Sequence, residues 1–167
     1  MVCSTGQWVA IWTRSRHEKW VYDQLVAREL EVFLPLLTVP STRRDRRVMV
    51  DVPAFPGYLF AKVWGGQDQI VSYTPGVVRI LGPSPLEYTT VPEGQIEGVR
   101  RLLESELRVD PYPYLKAGTP VRMKSGPLRG LEGYIIEKRR QLRFVVAVDL
   151  LQKGVATEVS ADQVELA

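Results

Sequence analysis

Short apolar runs separated by turn residues fill most of the first half of the chain. Residues 8–12 are apolar throughout and predict a buried strand. Over residues 16–31 the apolar side chains recur at helical spacing, which predicts an amphipathic helix. Residues 32–39 predict a strand at a sheet edge, because Pro35 lacks the N–H that a central strand needs. A further strand at residues 48–52 would complete a hairpin with a basic tip.

The middle of the chain alternates turns rich in glycine and proline with further short elements. Residues 53–57, Pro-Ala-Phe-Pro-Gly, predict a rigid turn, and residues 58–63 alternate as a strand. A short helix is predicted at residues 67–73, and the apolar run 77–81 predicts another strand.

A longer helix is predicted for residues 92–107, where apolar side chains recur at helical spacing. Thr90 and Glu93 have the Ser/Thr-x-x-Glu spacing of a capping box at its start. The Asp-Pro-Tyr-Pro run at residues 110–113 cannot continue the helix, because prolines remove donors and restrict their neighbours. We therefore expect a first domain at residues 1–108, a linker at 109–116 and a second domain at 117–167.

The second domain contains only short strand-like runs, at residues 121–124, 133–138, 142–151, 156–159 and 163–166. Five short strands in some fifty residues fit a small barrel. The first two strands flank a basic loop, in which Gly126-Pro127 breaks the alternation and Gly130 and Gly133 are expected to give backbone freedom where a side chain would clash. The whole chain is therefore predicted to be an α+β protein.

The composition is that of a globular protein, with 45% apolar residues among 167. No apolar run approaches the length of about 18 residues that spans a membrane, and residues 1–7 lack the features of a signal peptide. We therefore expect a cytoplasmic protein without a membrane partner. The single cysteine, Cys3, forms no internal disulfide, and His17 is the only histidine, so we expect neither a metal nor a cofactor.

The net charge of +3 is unevenly distributed along the chain. Three basic clusters comprise Arg43, Arg44, Arg46 and Arg47; Arg14, Arg16, His17 and Lys19; and Lys138, Arg139, Arg140 and Arg143. Any one of them fits a solvated turn. Three such clusters on one small protein favour contact with a polyanion.

The order of elements and several motifs resemble the NusG family of transcription elongation factors. Residues 119–133, Thr-Pro-Val-Arg-Met-Lys-Ser-Gly-Pro-Leu-Arg-Gly-Leu-Glu-Gly, look like a KOW motif. Trp8 with the strand after it, Phe-Pro-Gly-Tyr-Leu-Phe at 55–60 and Thr-Pro-Gly-Val-Val-Arg at 74–79 resemble the family's N-terminal (NGN) domain. Residues 14–19 and 32–35 are more similar to the specialised, RfaH-like paralogues than to the housekeeping factor.

This resemblance implies an antiparallel sheet flanked by helices, followed by a five-stranded, SH3-like KOW barrel. It also implies a regulator of elongation and antitermination, which binds the clamp helices of RNA polymerase and reduces pausing. The polymerase-binding face would hold Trp12, Phe55, Pro56, Tyr58 and Val77. Aromatic anchors of this kind often dominate interfaces. Ordinary core packing is the alternative for these residues, more so for Tyr58 and Val77 than for Phe55 and Pro56, which sit in a turn.

Two further surfaces follow from the resemblance. Arg14, Arg16, His17 and Gln24 would approach the non-template DNA strand, since arginine pairs with phosphate and stacks on bases, although a solvated helix face would look the same. In the family the KOW domain recruits a small-subunit ribosomal protein or the termination factor Rho. That contact would use Gly126, Pro127, Leu128, Arg129, Gly130 and Phe144.

Some RfaH-like relatives switch the second domain between helical and barrel forms. Here the β-branched residues around 135–136 and 144–148 favour strands.

The basic side chains of the KOW loop would bind RNA as an alternative to a protein partner.

Nothing in the sequence points to an enzyme, because it has no nucleophile elbow, P-loop or Gly-x-Gly-x-x-Gly motif. We expect a monomeric, non-enzymatic regulator. The rival interpretation is a KOW-containing RNA-binding protein associated with the ribosome. Residues 1–108 carry 13 basic and 12 acidic side chains, and this near balance favours a protein partner for the first domain.

Overall fold

The computed structural model describes residues 6–42, 48–112 and 118–167. Its contacts divide the chain into two compact units, Met1–Glu93 and Gly94–Ala167. The domain boundary near residue 108 stays a prediction. The first of the basic clusters, at residues 43–47, lies outside the described residues. Within the described part of the chain, no helix is long and apolar enough to cross a membrane.

The first unit contains a five-stranded antiparallel sheet, a separate hairpin and two helices. In chain order the elements are β1 (Gln7–Thr13), α1 (Glu18–Ala27), β2 (Glu31–Phe33), β3 (Leu36–Pro40), β4 (Met49–Pro53), β5 (Tyr58–Val63), α2 (Gln67–Ser72), β6 (Val77–Ile80) and β7 (Thr90–Val91). The sheet order is β2-β5-β1-β6, and β7 also pairs with β1. The predicted α+β class with an antiparallel sheet is confirmed.

One buried cluster of this unit lies between the sheet and its two helices. Val9 and Ile11 of β1 are fully buried and pack in one cluster with Val21 and Leu25 of α1. Full burial of each such side chain contributes about 1.5 to 3 kcal/mol. Helix α1 is shorter than predicted, because Glu29 adopts a positive φ of 62° that ends the helical path.

Strands β3 and β4 form the predicted hairpin, with Leu36 opposite Pro53 and Pro40 opposite Met49. The single strand predicted at 32–39 is divided in two, because Pro35 separates β2 from β3. The carbonyl of Pro35 accepts a hydrogen bond from the Ala54 N–H at 2.8 Å, which joins the hairpin to the turn that follows it.

The predicted capping box at Thr90 and Glu93 is wrong. Thr90 lies in β7, opposite Val9 of β1, and so cannot cap the helix that follows. The Glu93 carboxylate instead accepts a hydrogen bond from Lys62 Nζ at 3.4 Å.

The second unit is built on a six-stranded antiparallel sheet. Its elements are most of helix α3 (Glu93–Glu104), then β8 (Val109–Tyr112), β9 (Thr119–Met123), β10 (Glu132–Lys138), β11 (Gln141–Val148), β12 (Lys153–Val159) and β13 (Val164–Leu166). Over the described residues the strand order β13-β9-β10-β11-β12-β8 is an open path. A closed SH3-like barrel stays a prediction.

Strand β8 was assigned by sequence to the linker. It pairs instead with β12, with Asp110 opposite Ala156 and Pro111 opposite Val155. An edge strand accommodates proline because its outward backbone groups need no partner. The segment that cannot extend a helix therefore contributes a sixth strand.

Helix α3 packs on this sheet through a glycine. A Cβ on Gly98 would approach Val146 Cγ1 to 2.9 Å, so a larger residue would push the helix away. Gln95 and Asp149 exchange two hydrogen bonds, of 2.9 Å from Gln95 Nε2 and 3.2 Å from the Asp149 N–H. These contacts lie within the second unit.

Candidate functional site

The Phe-Pro-Gly-Tyr turn is fixed against the end of β1. The Gly57 carbonyl accepts the Thr13 N–H at 2.8 Å, and the Tyr58 N–H donates to the Phe55 carbonyl at 2.9 Å. Gly57 has a φ of +87°, a conformation that favours glycine. The turn therefore holds a defined position beside the last residues of β1.

A buried carboxylate locks the same turn to helix α1. Glu18 exposes only 7% of its surface, and its Oε1 accepts the Gly57 N–H at 3.1 Å. Its place in the first turn of α1 suits a negative charge, because the helix dipole is positive there. Sequence reasoning missed Glu18, since an acidic residue at a helix start is common and its partner lies 39 residues away.

A second glycine turn brackets the other side of β1. The Val77 N–H donates to the Thr74 carbonyl at 3.1 Å, and Gly76 has a φ of +95°, as a turn with Pro75 before the glycine requires. The Gly76 carbonyl accepts the Arg14 N–H at 2.9 Å. Both turns therefore contact the end of β1, next to the basic residues Arg14 and Arg16 that follow it.

Trp12, Pro56 and Tyr58 form an exposed surface, here named the Trp12 surface. Trp12 pairs with Tyr58 on β5 and with Arg79 on β6, and 43% of it is exposed. Its neighbours Ile11 and Thr13 are buried, so Trp12 points away from the helix-covered face. Pro56 is exposed and Tyr58 is half-buried.

Val77 does not belong to this surface. It pairs with Thr13 across an irregular register and packs against the core cluster beneath the helices. This corrects its expected contact role in favour of the core-packing alternative.

Phe55 also has a different role from the one expected. Only 1% of it is exposed, and its ring meets Phe60 edge to face, with centroids 6.1 Å apart. Phe60 in turn stacks with Phe33 at 6.2 Å. Phe55 therefore supports the turn that carries Pro56 from within the core and offers no free face to a partner.

The basic residues after β1 separate into exposed and engaged side chains. Arg14 and Arg16 are exposed, and Arg16 has a positive φ of 62°. His17 Nδ1 lies 2.7 Å from the Ser15 carbonyl oxygen. Gln24 is half-buried and its Nε2 donates to the Pro75 carbonyl at 3.0 Å, and its contact role stays a prediction.

Sequence reasoning missed two exposed aromatic residues near this loop. Trp20 is 49% exposed and its ring lies 5.5 Å from that of His17, while Tyr73 is 83% exposed. Trp20 lies outside the apolar face of α1 that Val21 and Leu25 form. A tryptophan at such a position was the sequence signal that could have indicated an exposed aromatic residue. Three basic residues, Arg14, Arg16 and His17, lie in the loop after β1, and Trp20 lies in the first turn of α1. Together these four residues are here named the basic-aromatic loop. Cationic groups beside an exposed ring are suited to phosphates and unstacked bases.

The glycine loop between β9 and β10 is a compact, internally bonded turn. Gly126 and Gly130 have φ values of +83° and +86°, and the Gly130 N–H donates to the Met123 carbonyl at 2.7 Å. Leu128 is fully buried and anchors the loop. Gly126, Pro127, Arg129 and Gly130 are exposed and remain available to a partner.

Leu128 and Phe144 were both expected to contact a partner, and both are corrected to core residues. Phe144 is fully buried. A Cβ on Gly133 would lie 2.8 Å from the Phe144 ring and 2.5 Å from the Val145 carbonyl oxygen. Gly133 is therefore required by this close approach of strand and ring.

One basic side chain near this loop is already paired. Arg122 Nη2 donates to Glu132 Oε1 at 2.7 Å. This hydrogen bond and the charge of Glu132 raise the pKa of Arg122 above its ordinary value. Arg122 is thus engaged by a neighbouring strand, whereas Lys124 and Arg129 are exposed.

Comparisons with known proteins place this geometry in context. The family model described as NusG, transcription termination factor nusG, matches residues 6–100. A solved structure titled "Domain interaction in Thermotoga maritima NusG" is similar with a TM-score of 0.55 and 19% identity, covering 96% of each chain. A structure titled "Crystal Structure of MjSpt4:Spt5 complex conformation A" shares 15% identity over 96% of this chain and 97% of that one, at a TM-score of 0.33. No curated protein matches the chain.

Proposed function

Because the chain belongs to the NusG family, whose model matches more than half of it, we propose that it regulates transcription elongation by binding RNA polymerase. The observation that supports this proposal is the Trp12 surface. There an exposed tryptophan pairs with a tyrosine across two strands of the sheet, and an exposed proline lies in the adjoining turn, which Glu18 locks. A rigid aromatic patch of this kind suits a helical protein partner, and the clamp helices of the polymerase are the partner we propose.

The proposed mechanism is a shift in a conformational equilibrium. A regulator that binds the closed clamp more tightly than the open clamp favours the closed state, and it does so only by that difference in affinity. The closed clamp would reduce pausing. No covalent chemistry is required.

The second unit is proposed to be a KOW barrel that recruits a further partner. Gly126, Pro127, Arg129 and Gly130 are the exposed residues of its loop, and a small-subunit ribosomal protein or Rho is the proposed partner. Attachment to the polymerase-bound unit would raise the effective concentration of this loop near the transcript. The exposed basic-aromatic loop supports a specialised, RfaH-like antitermination role.

Co-purification and a pausing assay test the proposed function. We expect the tagged chain to co-purify with RNA polymerase, and the purified chain to shorten pauses in single-round transcription by that polymerase. Enrichment of ribosomal subunits without polymerase, together with unchanged pauses, would favour the rival ribosome-associated RNA-binding protein.

The basic-aromatic loop is proposed to contact the non-template DNA strand. Replacing Arg14 and Arg16 with alanine is expected to weaken binding of the chain to a transcription complex with an exposed single strand. Each lost phosphate contact should lower the slope of log affinity against log salt by about 0.7. The measurement is a salt titration of binding to that complex.

The control replaces two other exposed arginines, Arg28 and Arg101, with alanine. It removes the same two positive charges from positions outside the basic-aromatic loop. An unchanged salt slope for the Arg14 and Arg16 variant, or an equal change for the control, would contradict the assignment.

A further inference from the structure

The tip of the β10–β11 hairpin has an unfavourable backbone for its sequence. Lys138 and Gln141 form the last pair of the two strands, so Arg139 and Arg140 alone make the turn. Their φ values are 51° and 63°. A two-residue hairpin with both φ values positive strongly prefers Asn-Gly, because other side chains are strained there.

The same tip concentrates uncompensated positive charge. Lys138, Arg139 and Arg140 are all exposed, and none of these side chains forms a salt bridge or hydrogen bond with the described part of the chain. Arginines elsewhere on this sheet do have carboxylate partners. Arg122 donates to Glu132 at 2.7 Å, and Arg143 Nη1 donates to Asp110 Oδ2 at 3.2 Å.

Strained backbone and unpaired charge thus coincide at Arg139 and Arg140, beside a third unpaired cation, Lys138. Strain of this kind persists where it has a use, and the inference runs from the observed outlier to a function. We propose that this tip, Lys138 to Arg140, binds the phosphodiester backbone of a single-stranded nucleic acid. The proposal is independent of polymerase binding by the first unit.

The chemistry of the tip favours a nucleic acid over an acidic protein. Protein partners are held mainly by apolar and aromatic anchors in pockets, and the turn offers only cations and the amide of Gln141. Guanidinium groups match phosphate oxygens bidentately. Tyr134 is half-buried on the same face of β10 as Lys138, where its ring would stack on an unpaired base.

The test replaces the two arginines with the residues that the turn prefers. The double variant R139N/R140G, made in the full chain that already carries R14A/R16A, removes two charges and relieves the backbone. Affinity is measured by fluorescence anisotropy with labelled oligo(U) and oligo(dT), at salt concentrations of roughly 50 to 200 mM. Comparison of oligo(U) with oligo(dT) distinguishes RNA from DNA as the source of the phosphodiester.

We expect an affinity loss of about tenfold at low salt and a salt slope smaller by about 1.4, because each contact to a single strand contributes about 0.7. Thermal unfolding should occur at the same temperature or higher, since Asn-Gly suits the turn. R139K/R140K should keep the slope.

The matched control is R100Q/R101Q, which removes two positive charges from helix α3 of the same unit. The Arg101 guanidinium donates a hydrogen bond to the Arg129 carbonyl, which precedes β10 and so lies at the opposite end of that strand from the tip. An equal loss in this control would overturn the proposal, because net charge alone would then explain binding. Unchanged affinity in R139N/R140G would overturn it too. Binding of poly-glutamate as tightly as oligo(U), with the same sensitivity to R139N/R140G, would instead assign the tip to an acidic protein.

Discussion

Replacing Phe55 with alanine is expected to destabilise the first unit by about 3 to 5 kcal/mol, the usual effect of deleting a buried phenyl ring. The ring is 1% exposed and packs edge to face on Phe60, so its removal leaves a cavity beneath the Phe-Pro-Gly-Tyr turn. The melting temperature measured by circular dichroism should fall by more than about 10 °C.

Two variants separate a packing role from a contact role for Phe55. Phe55→Leu keeps much of the buried volume and should lose less stability. Pro56→Ala changes an exposed neighbour and should leave the melting temperature nearly unchanged. A Phe55→Ala protein that melts as the parent does but no longer binds polymerase would show that Phe55 is a direct contact.

Local pattern in the sequence was sufficient for most of the elements. Strand β1 follows from a continuous apolar run, helix α1 follows from apolar side chains at helical spacing, and the glycine loop follows from a pattern of alternation broken at Gly126. The segments that the sequence assigned wrongly are strands whose pairing partners lie far away along the chain. Thr90 has the spacing of a helix cap, yet pairing with Val9 places it in a strand. Pro111 looks like a linker residue until β12 provides an edge on which it pairs.

The candidate site was predictable in position but not in the direction of its side chains. The sequence located the Phe-Pro-Gly-Tyr turn, but turns do not reveal which side chain points inward. Phe55 is buried against Phe60, a contact that the local sequence of the turn does not reveal. The same limit applies to Gln24, whose amide is engaged by a carbonyl 51 residues away.

The Trp12 surface is the part of the site on which the proposed function depends. Trp12→Ala is expected to weaken binding to RNA polymerase by at least about 2 kcal/mol, or roughly 30-fold, as loss of a central aromatic anchor does. Since 43% of Trp12 is exposed, its truncation should disturb the fold far less than that of Phe55. Affinity for the core polymerase, measured with the full chain, is the test, and the circular dichroism melting curve confirms folding.

Trp64→Ala is the matched control, because Trp64 is 44% exposed and follows the opposite end of β5 from Tyr58. It should bind polymerase as the parent does. Trp12 and Tyr58 are direct cross-strand neighbours, so the double variant should lose less than the sum of the two single losses. Equal losses for Trp12→Ala and Trp64→Ala would mean that the polymerase contact lies elsewhere on the unit. Strict additivity between Trp12 and Tyr58 would mean that the two side chains do not act as one anchor.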